Sequence, residues 1–175
     1  LEADTLYVGS PAKAIRAHDG HGLAIQERIT DEYIGFARDY PSTLSALPGA
    51  HRVFQLDTRI PEVHPTAHVH ASAVIVGNVV VGEHAVLGAG VVLRGDNGPV
   101  QVDAHARLET NAVVHASRNV PTRIGSLSHV SANAVLHGCL LGSHVHIGER
   151  AVILDKTIVE DHVRIEKNTF VKGGL

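Results

Sequence analysis

An apolar residue recurs at every sixth position over most of this 175-residue chain, from about Val63 onward. The positions form four runs, each in a single phase: Val63, Val69, Ile75, Val81, Leu87 and Leu93; Val102, Leu108 and Val114; Ile124, Val130 and Leu136; and Leu141, Ile147, Ile153, Val159, Ile165 and Val171. A six-residue period predicts a parallel β-helix, in which each short strand forms one side of a triangular coil and three repeats complete a turn. The apolar residues then point into the coil, and the fold class is all-β.

The interruptions between these runs indicate where functional residues are expected. Extra residues occur at RGDNGPVQ (94–101) and ASRNVPTR (116–123), and the step from Leu136 to Leu141 is one residue short. A stacked coil accommodates insertions only as loops at its corners, and such loops often carry function. The interruptions lie next to His115 and His137, which makes these two histidines the first candidates for a site.

The first fifty residues have a different pattern. Residues 25–40 (IQERITDEYIGFARDY) place apolar side chains at helical spacing and predict one amphipathic α-helix packed on the coil. Residues 41–50 contain Pro41, Pro48 and Gly49 among small polar residues, which is typical of a linker. We therefore expect residues 1–50 to supply a strand, a helix and a linker, residues 51–175 to form the β-helix, and both to belong to one structural domain.

The composition excludes several kinds of partner. Aromatic residues make up only 3% of the chain, which favours closely stacked β-structure. The net charge is −3 and no run of basic residues occurs, so the pattern predicts neither nucleic-acid nor membrane binding.

The single cysteine, Cys139, cannot form an internal disulfide and is expected to pack as a small residue. With no apolar span or signal pattern, a cytoplasmic location is expected.

Three stretches carry specific motifs in a fixed order. Residues 53–102 include RGD at 94–96, residues 108–115 read LETNAVVH, and residues 135–139 read VLHGC. As a set, they resemble the γ-class carbonic anhydrases and their relatives with hexapeptide repeats. The resemblance implies a left-handed β-helix, a homotrimer with its site between subunits, zinc as cofactor, and the reversible hydration of CO2 to bicarbonate, a lyase reaction. The handedness opposes the general rule for crossovers and is implied by the resemblance alone.

The order of the segments departs from that family. LYVGSPAKAIR (6–16), followed by the predicted helix, resembles the family's C-terminal segment, yet it stands first, and the chain ends at FVKGGL (170–175) where that segment would continue. A circular permutation accounts for this order, with residues 41–50 joining the former C-terminal helix to the former first strand at Val53. Permutation is tolerated where the native ends lie close together. The alternative is that residues 6–16 are an unrelated leader.

The resemblance assigns His115 and His137 as zinc ligands, each directly after an inward-pointing residue. A catalytic zinc uses three protein ligands and keeps a fourth position for water, whose pKa falls to about 7. The family's third histidine stands five residues before the second, and here that position is Ala132. His129 lies about 10 Å away along an extended strand, too far to replace it. We therefore expect a compromised zinc site, with the metal weakly bound or absent.

Three further residues belong to the site by the same resemblance. Arg94 and Asp96 are expected to form an ion pair between subunits that orients the site. The alternative interpretation is a salt bridge at a corner of the coil that has only a structural role. Glu109 stands where the family has a glutamine that bonds the metal-bound water, and Thr110 where it has an aspartate. A carboxylate at this position is a candidate proton acceptor or third zinc ligand, or else a solvated surface group.

Three functions remain open on these observations. The first is a γ-carbonic-anhydrase-like zinc protein with a compromised metal site. The second is an inactive trimeric scaffold or an engineered variant. The third is an acyltransferase that uses His115 or His137 as a general base in a cleft between subunits. The other outward-facing histidines are expected to be solvated; they include His64, His68, His70, His84, His105, His144, His146 and His162.

Overall fold

The computed structural model describes residues 52–173, the backbone of three strands before them, and Asp31. Its strands are β1 (Thr5–Val8), β2 (Lys13–Ala17), β3 (Leu44–Ala46), β4 (Val53–Leu56), β5 (Glu62–Val63), β6 (His68–Val69), β7 (Val74–Val81), β8 (Val86–Leu87), β9 (Val92–Val102), β10 (Arg107–Leu108), β11 (Val113–His115), β12 (Thr122–Ile124), β13 (His129–Val130), β14 (Val135–His137), β15 (Leu140–Leu141), β16 (His146–Ile147), β17 (Val152–Ile153), β18 (Ile158–Val159), β19 (Arg164–Ile165) and β20 (Phe170–Val171).

The chain divides into two compact units, Leu1–Ser42 and Thr43–Leu175. In the first unit, β1 and β2 pair antiparallel, so the stretch predicted as a final strand contains two strands. The predicted helix 25–40 lies outside the described residues except for Asp31, whose backbone is helical. In the second unit, β3 pairs antiparallel with β4, so part of the predicted linker is a strand. The circular permutation stays a prediction.

Parallel ladders run along three faces of the second unit. The first face is built from β4, the starts of β7 and β9, and then β11, β14, β17 and β20. The second face uses β5, the ends of β7 and β9, and then β12, β15 and β18. The third face consists of β6, β8, β10, β13, β16 and β19. This is the predicted parallel β-solenoid of the left-handed hexapeptide-repeat type.

The core confirms the six-residue repeat. Every repeat position from Ile75 to Val159 is buried, and the four positions beyond these limits are partly buried and pack against the same core. Small residues two positions earlier, such as Ala85 and Ala134, have no exposed surface. Burying one Ile, Leu or Val side chain contributes roughly 1.5–3 kcal/mol, so this stack of apolar side chains is the main stabilising feature.

The interruptions change the length of individual coils. Val74 pairs with Val92, one regular coil later, whereas Val92 pairs with Val113 and Val113 with Val135 across longer coils. The next coil is one residue short, since Val135 pairs with Val152. The strands nevertheless stay in register on each face. Residues 94–101 lie within β9, where the pairing with β7 shifts between Gly77 and Val79, so this interruption is an irregular strand and not the predicted loop. Residues 116–121 connect β11 to β12. Within the described residues, no helix is long and apolar enough to cross a membrane.

Candidate functional site

The first face brings the predicted site residues together on neighbouring coils. Arg94 on β9 is in register with His115 on β11, and His115 is in register with His137 on β14. The two imidazole rings meet edge to face, with their centroids 4.8 Å apart. The spacing of the two histidines in the sequence therefore predicted their contact correctly, because strands on adjacent coils lie about 4.8 Å apart.

Asp96 connects the first two of these residues. Its buried carboxylate places Oδ1 2.7 Å from His115 Nε2 and Oδ2 3.0 Å from Arg94 Nε. The same guanidinium also lies against the imidazole, with Nη2 3.2 Å from Nε2 and 3.3 Å from Nδ1 of His115. Arg94 and Asp96 thus pair within one chain, whereas the resemblance implied a pair between subunits. A carboxylate buried in this way needs such partners, because an uncompensated charge would be strongly destabilising.

His137 is oriented by a different carboxylate. Its Nδ1 lies 2.5 Å from Asp155 Oδ1, and Ser117 donates a hydrogen bond of 2.7 Å to Asp155 Oδ2. A carboxylate accepts hydrogen bonds, so in the neutral imidazole Nδ1 carries the proton and Nε2 presents its lone pair. The side chain of His137 is 31% exposed. The pair is therefore arranged either to bind a ligand through Nε2 or to remove a proton with it.

Sequence reasoning missed Asp155 and Ser117, although a signal for the first was present. Asp155 stands 18 residues after His137, which is three repeats of six. This coil is 17 residues long, with Leu136 paired to Ile153, so Asp155 lies on the next coil, one residue past the position in register with His137. Ser117 gave no such signal, because it lies in the connection 116–121 between β11 and β12, whose path the repeat does not predict.

Backbone contacts around Gly138 explain the LHG motif. Gly138 has a φ of +61°, and a Cβ atom there would come within 2.2 Å of Asp155 Oδ1. Glycine is therefore required for the carboxylate to reach His137. The buried hydroxyl of Thr122 accepts the Gly138 N–H at 2.8 Å and donates to the His115 carbonyl at 2.5 Å. These two hydrogen bonds hold the backbones of the two histidine strands together.

The structure places Glu109 away from the two histidines. Its Oε1 lies 2.9 Å from Nε2 of His129, on the third face. The His129 ring also contacts His146, at a centroid distance of 5.0 Å. Partial burial and the neighbouring Arg164 lower the pKa of His146. Within one chain, Glu109 thus belongs to a polar group on another face and does not complete a ligand set with His115 and His137.

Zinc does not fit the residues that a single chain supplies. Between residues 52 and 173, no group of three or more His, Cys, Asp or Glu side chains is arranged to hold a metal ion. Ala132 has no donor atom at the position of the third ligand. Arg94 also places a permanent positive charge against both ring nitrogens of His115, which opposes a divalent cation there. His137 is the one residue of the pair whose ring presents a lone pair without a neighbouring cation.

Cys139, directly after Gly138, is predicted to be chemically inert in the folded protein. Burial raises the pKa of its thiol to about 12 from an ordinary value of 9.0. Because the thiolate is the reactive form, the thiolate fraction near pH 8 falls by about 10³-fold. Labelling with a chromogenic disulfide should be slower by at least this factor than in guanidinium. Native labelling within tenfold of the unfolded rate would contradict this prediction.

Comparisons with known proteins agree with the fold. No family model matches the chain. The carnitine operon protein CaiE of Escherichia coli K12 is 38% identical over 116 residues, which cover 66% of this chain and 59% of that protein. The CaiE protein of Proteus sp. LE138 is 34% identical over 123 residues, covering 70% and 62%. The chain therefore spans about three fifths of the length of these curated relatives.

A solved structure supports the same assignment. The hexapeptide transferase family protein from Anaplasma phagocytophilum aligns with a TM-score of 0.56 and 29% identity, covering 65% of this chain and 70% of that one. This chain has a buried six-residue repeat, three parallel faces, and the RGD, VVH and LHG motifs in that order. It is also similar in sequence to the CaiE proteins and in fold to the hexapeptide transferase family protein. The chain belongs to the γ-carbonic-anhydrase-like family of hexapeptide-repeat β-helix proteins.

Proposed function

We propose that this protein is an acyltransferase in which His137 acts as a general base without a metal ion. One observation carries the proposal: Nδ1 of His137 lies 2.5 Å from Asp155, so that Nε2 is the nitrogen able to accept a proton. A histidine whose tautomer is set by a carboxylate is the usual arrangement for general-base catalysis. The name of the structurally related hexapeptide transferase family protein is consistent with group transfer.

The chemistry follows from the position of that nitrogen. An amine or hydroxyl acceptor gives its proton to His137 Nε2 as it attacks the carbonyl carbon of an acyl thioester. A C–N or C–O bond forms, the C–S bond breaks, and the imidazolium returns the proton to the departing thiolate. Asp155 stabilises the imidazolium while it exists, and Ser117 keeps that carboxylate in place.

The acceptor site is proposed to lie between copies of the chain in a homotrimer. Arg94, His115 and His137 are adjacent on the first face, where a second copy would enclose them. Ala132 lies at the corner between the third and first faces. In the proposed trimer, a neighbouring copy would contribute a side chain to the site from this corner. Light scattering should then give three times the chain mass of 18.6 kDa, and a monomer would exclude a shared site.

Zinc-dependent hydration of CO2 is the second candidate. The register of His115 with His137 and the ring separation of 4.8 Å favour it, since these are the family's ligand positions. The donors of one chain do not fit zinc, so this candidate requires a ligand from another copy. The inactive scaffold remains the outcome if neither activity is found.

Release of thiol from acetyl-CoA tests the proposal, with a panel of amine and alcohol acceptors in the presence of a chelator. The wild type should turn over with the chelator present, and His137→Gln should be slower by at least about 10²-fold. Equal rates would exclude His137 as the base. A parallel arm measures zinc content and CO2 hydration in the wild type and in Ala132→His. Activity that appears only with zinc, or only in Ala132→His, would replace the proposal by the second candidate.

A further inference from the structure

Five residues form a continuous column at one corner of the β-helix, between its second and third faces. They are His84, His105, Leu127, His144 and His162, and this set is called the corner column. Each has a left-handed backbone, with φ between 54° and 62°. Their amide groups bond successively to the preceding coil; for example, His162 N–H donates to the Ser143 carbonyl at 3.0 Å. The residues therefore occupy equivalent positions on five consecutive coils.

The four histidines of the corner column are stacked in two pairs. The rings of His84 and His105 lie 5.1 Å apart at an angle of 26°, and those of His144 and His162 lie 4.8 Å apart at 13°. All four side chains are exposed. Leu127, which is 52% exposed, separates the two pairs. The histidines that looked scattered in the sequence are thus aligned by the coil.

Backbone conformation alone does not account for histidine at these positions. Histidine and asparagine both tolerate left-handed backbone better than most residues. The equivalent corner between the third and first faces also needs this conformation on five coils, and it uses Gly90, Asn111, Asn133, Arg150 and Asn168. None of these five positions is a histidine, so a left-handed position in this protein does not by itself select an imidazole.

We propose that each stacked pair of the corner column binds one divalent transition-metal ion through one nitrogen from each ring. Imidazole is a preferred ligand of Cu²⁺, Ni²⁺ and Zn²⁺. Metal to nitrogen distances of about 2.1 Å allow two nitrogens on one ion to lie up to about 4.2 Å apart. Rings 4.8 Å and 5.1 Å apart reach this separation by tilting towards each other, and exposed side chains are free to do so.

The surroundings of the pairs determine the kind of site. Glu83 lies 3.3 Å from His84, so a carboxylate stands beside the first pair. In the described part of the chain no cluster offers three or more donor side chains, so water completes the coordination in each pair. A site with two imidazoles binds more weakly than a closed structural zinc site and exchanges its metal readily. The ion joins adjacent coils in the folded state, so it should stabilise that state.

Isothermal titration with Cu²⁺ or Ni²⁺ at pH 7.5 tests the proposal on the intact protein. The wild type should bind one ion at each stacked pair; His144→Asn with His162→Asn should remove one bound ion per chain, and adding His84→Asn with His105→Asn should remove a second. Asparagine retains the left-handed preference, so these variants are expected to fold. His64→Asn with His70→Asn removes two other exposed histidines, and it should leave both ions bound. His137→Gln should also leave both ions bound, which separates this site from the one on the first face.

Leu127→His provides a gain of function at the centre of the corner column. It places an imidazole between His105 and His144. The affinity for the ion that binds most tightly should then rise by at least tenfold. The same metal should raise the melting temperature of the wild type and not that of the fourfold asparagine variant. Undiminished binding in the fourfold variant, or equal loss in the His64 and His70 control, would overturn the proposal.

Discussion

Asp155→Asn is expected to lower kcat for acyl transfer by about 10²- to 10⁴-fold while KM changes little. Asparagine removes the negative charge that stabilises the imidazolium of His137. Its amide group also allows the wrong tautomer, because an N–H donor facing Nδ1 would place the ring proton on Nε2. In the proposed mechanism Asp155 acts through His137, so it is a positioning residue and KM should be spared.

Steady-state rates of thiol release measure this effect, with Ser117→Ala as the matched control. Ser117→Ala removes the hydrogen bond of 2.7 Å to Asp155 but leaves the carboxylate beside His137. A hydrogen bond to a charged group contributes about 1.5–3 kcal/mol, but the carboxylate and its charge stay in place, so kcat should fall less than in Asp155→Asn. Circular dichroism should be unchanged in both variants. If Asp155→Asn retains the wild-type kcat, His137 does not act as a carboxylate-oriented base.

Gly125→Ala is expected to destabilise the β-helix by about 3 kcal/mol or more. A Cβ atom at Gly125 would lie 2.2 Å from the carbonyl oxygen and 2.4 Å from the carbonyl carbon of Gly142 on the next coil. Both are backbone atoms, so no flexible side chain can move aside, and the two coils must separate. At this chain length, about 2–4 °C is lost per kcal/mol, which corresponds to roughly 6–12 °C in melting temperature.

Thermal unfolding followed by circular dichroism measures this loss, and Gly88→Ala is the graded control. A Cβ atom at Gly88 would lie 3.1 Å from both the Leu108 carbonyl oxygen and the Thr110 nitrogen. These contacts are tight but can be relieved by a few tenths of an ångström, so the loss should be clearly smaller than for Gly125→Ala. A melting temperature for Gly125→Ala within 2 °C of the wild type would show that the coils are less closely stacked at this corner.

The segments that depart from the six-residue repeat took their structure from tertiary contacts that the sequence did not predict. The strand β3 lies in residues that were predicted to be a linker, because its antiparallel pairing with β4 is a tertiary contact without a local pattern. Glu109 was a candidate ligand by the family motif, yet it pairs with His129 at 2.9 Å. An outward-facing position in a repeat does not specify which neighbour on the same face a long side chain will choose.

The sequence by itself determined the β-helix, its buried positions and the contact between His115 and His137. It could do so because a six-residue period determines which side chains point inward. The neighbour of a residue on the next coil is then found by counting three repeats along the chain. Only the tertiary structure decided which groups orient the two histidines, with Asp96 beside His115 and Asp155 beside His137. It also decided the corner column, because coils of unequal length remain in register on each face, and residues at irregular sequence separations are thereby stacked directly above one another.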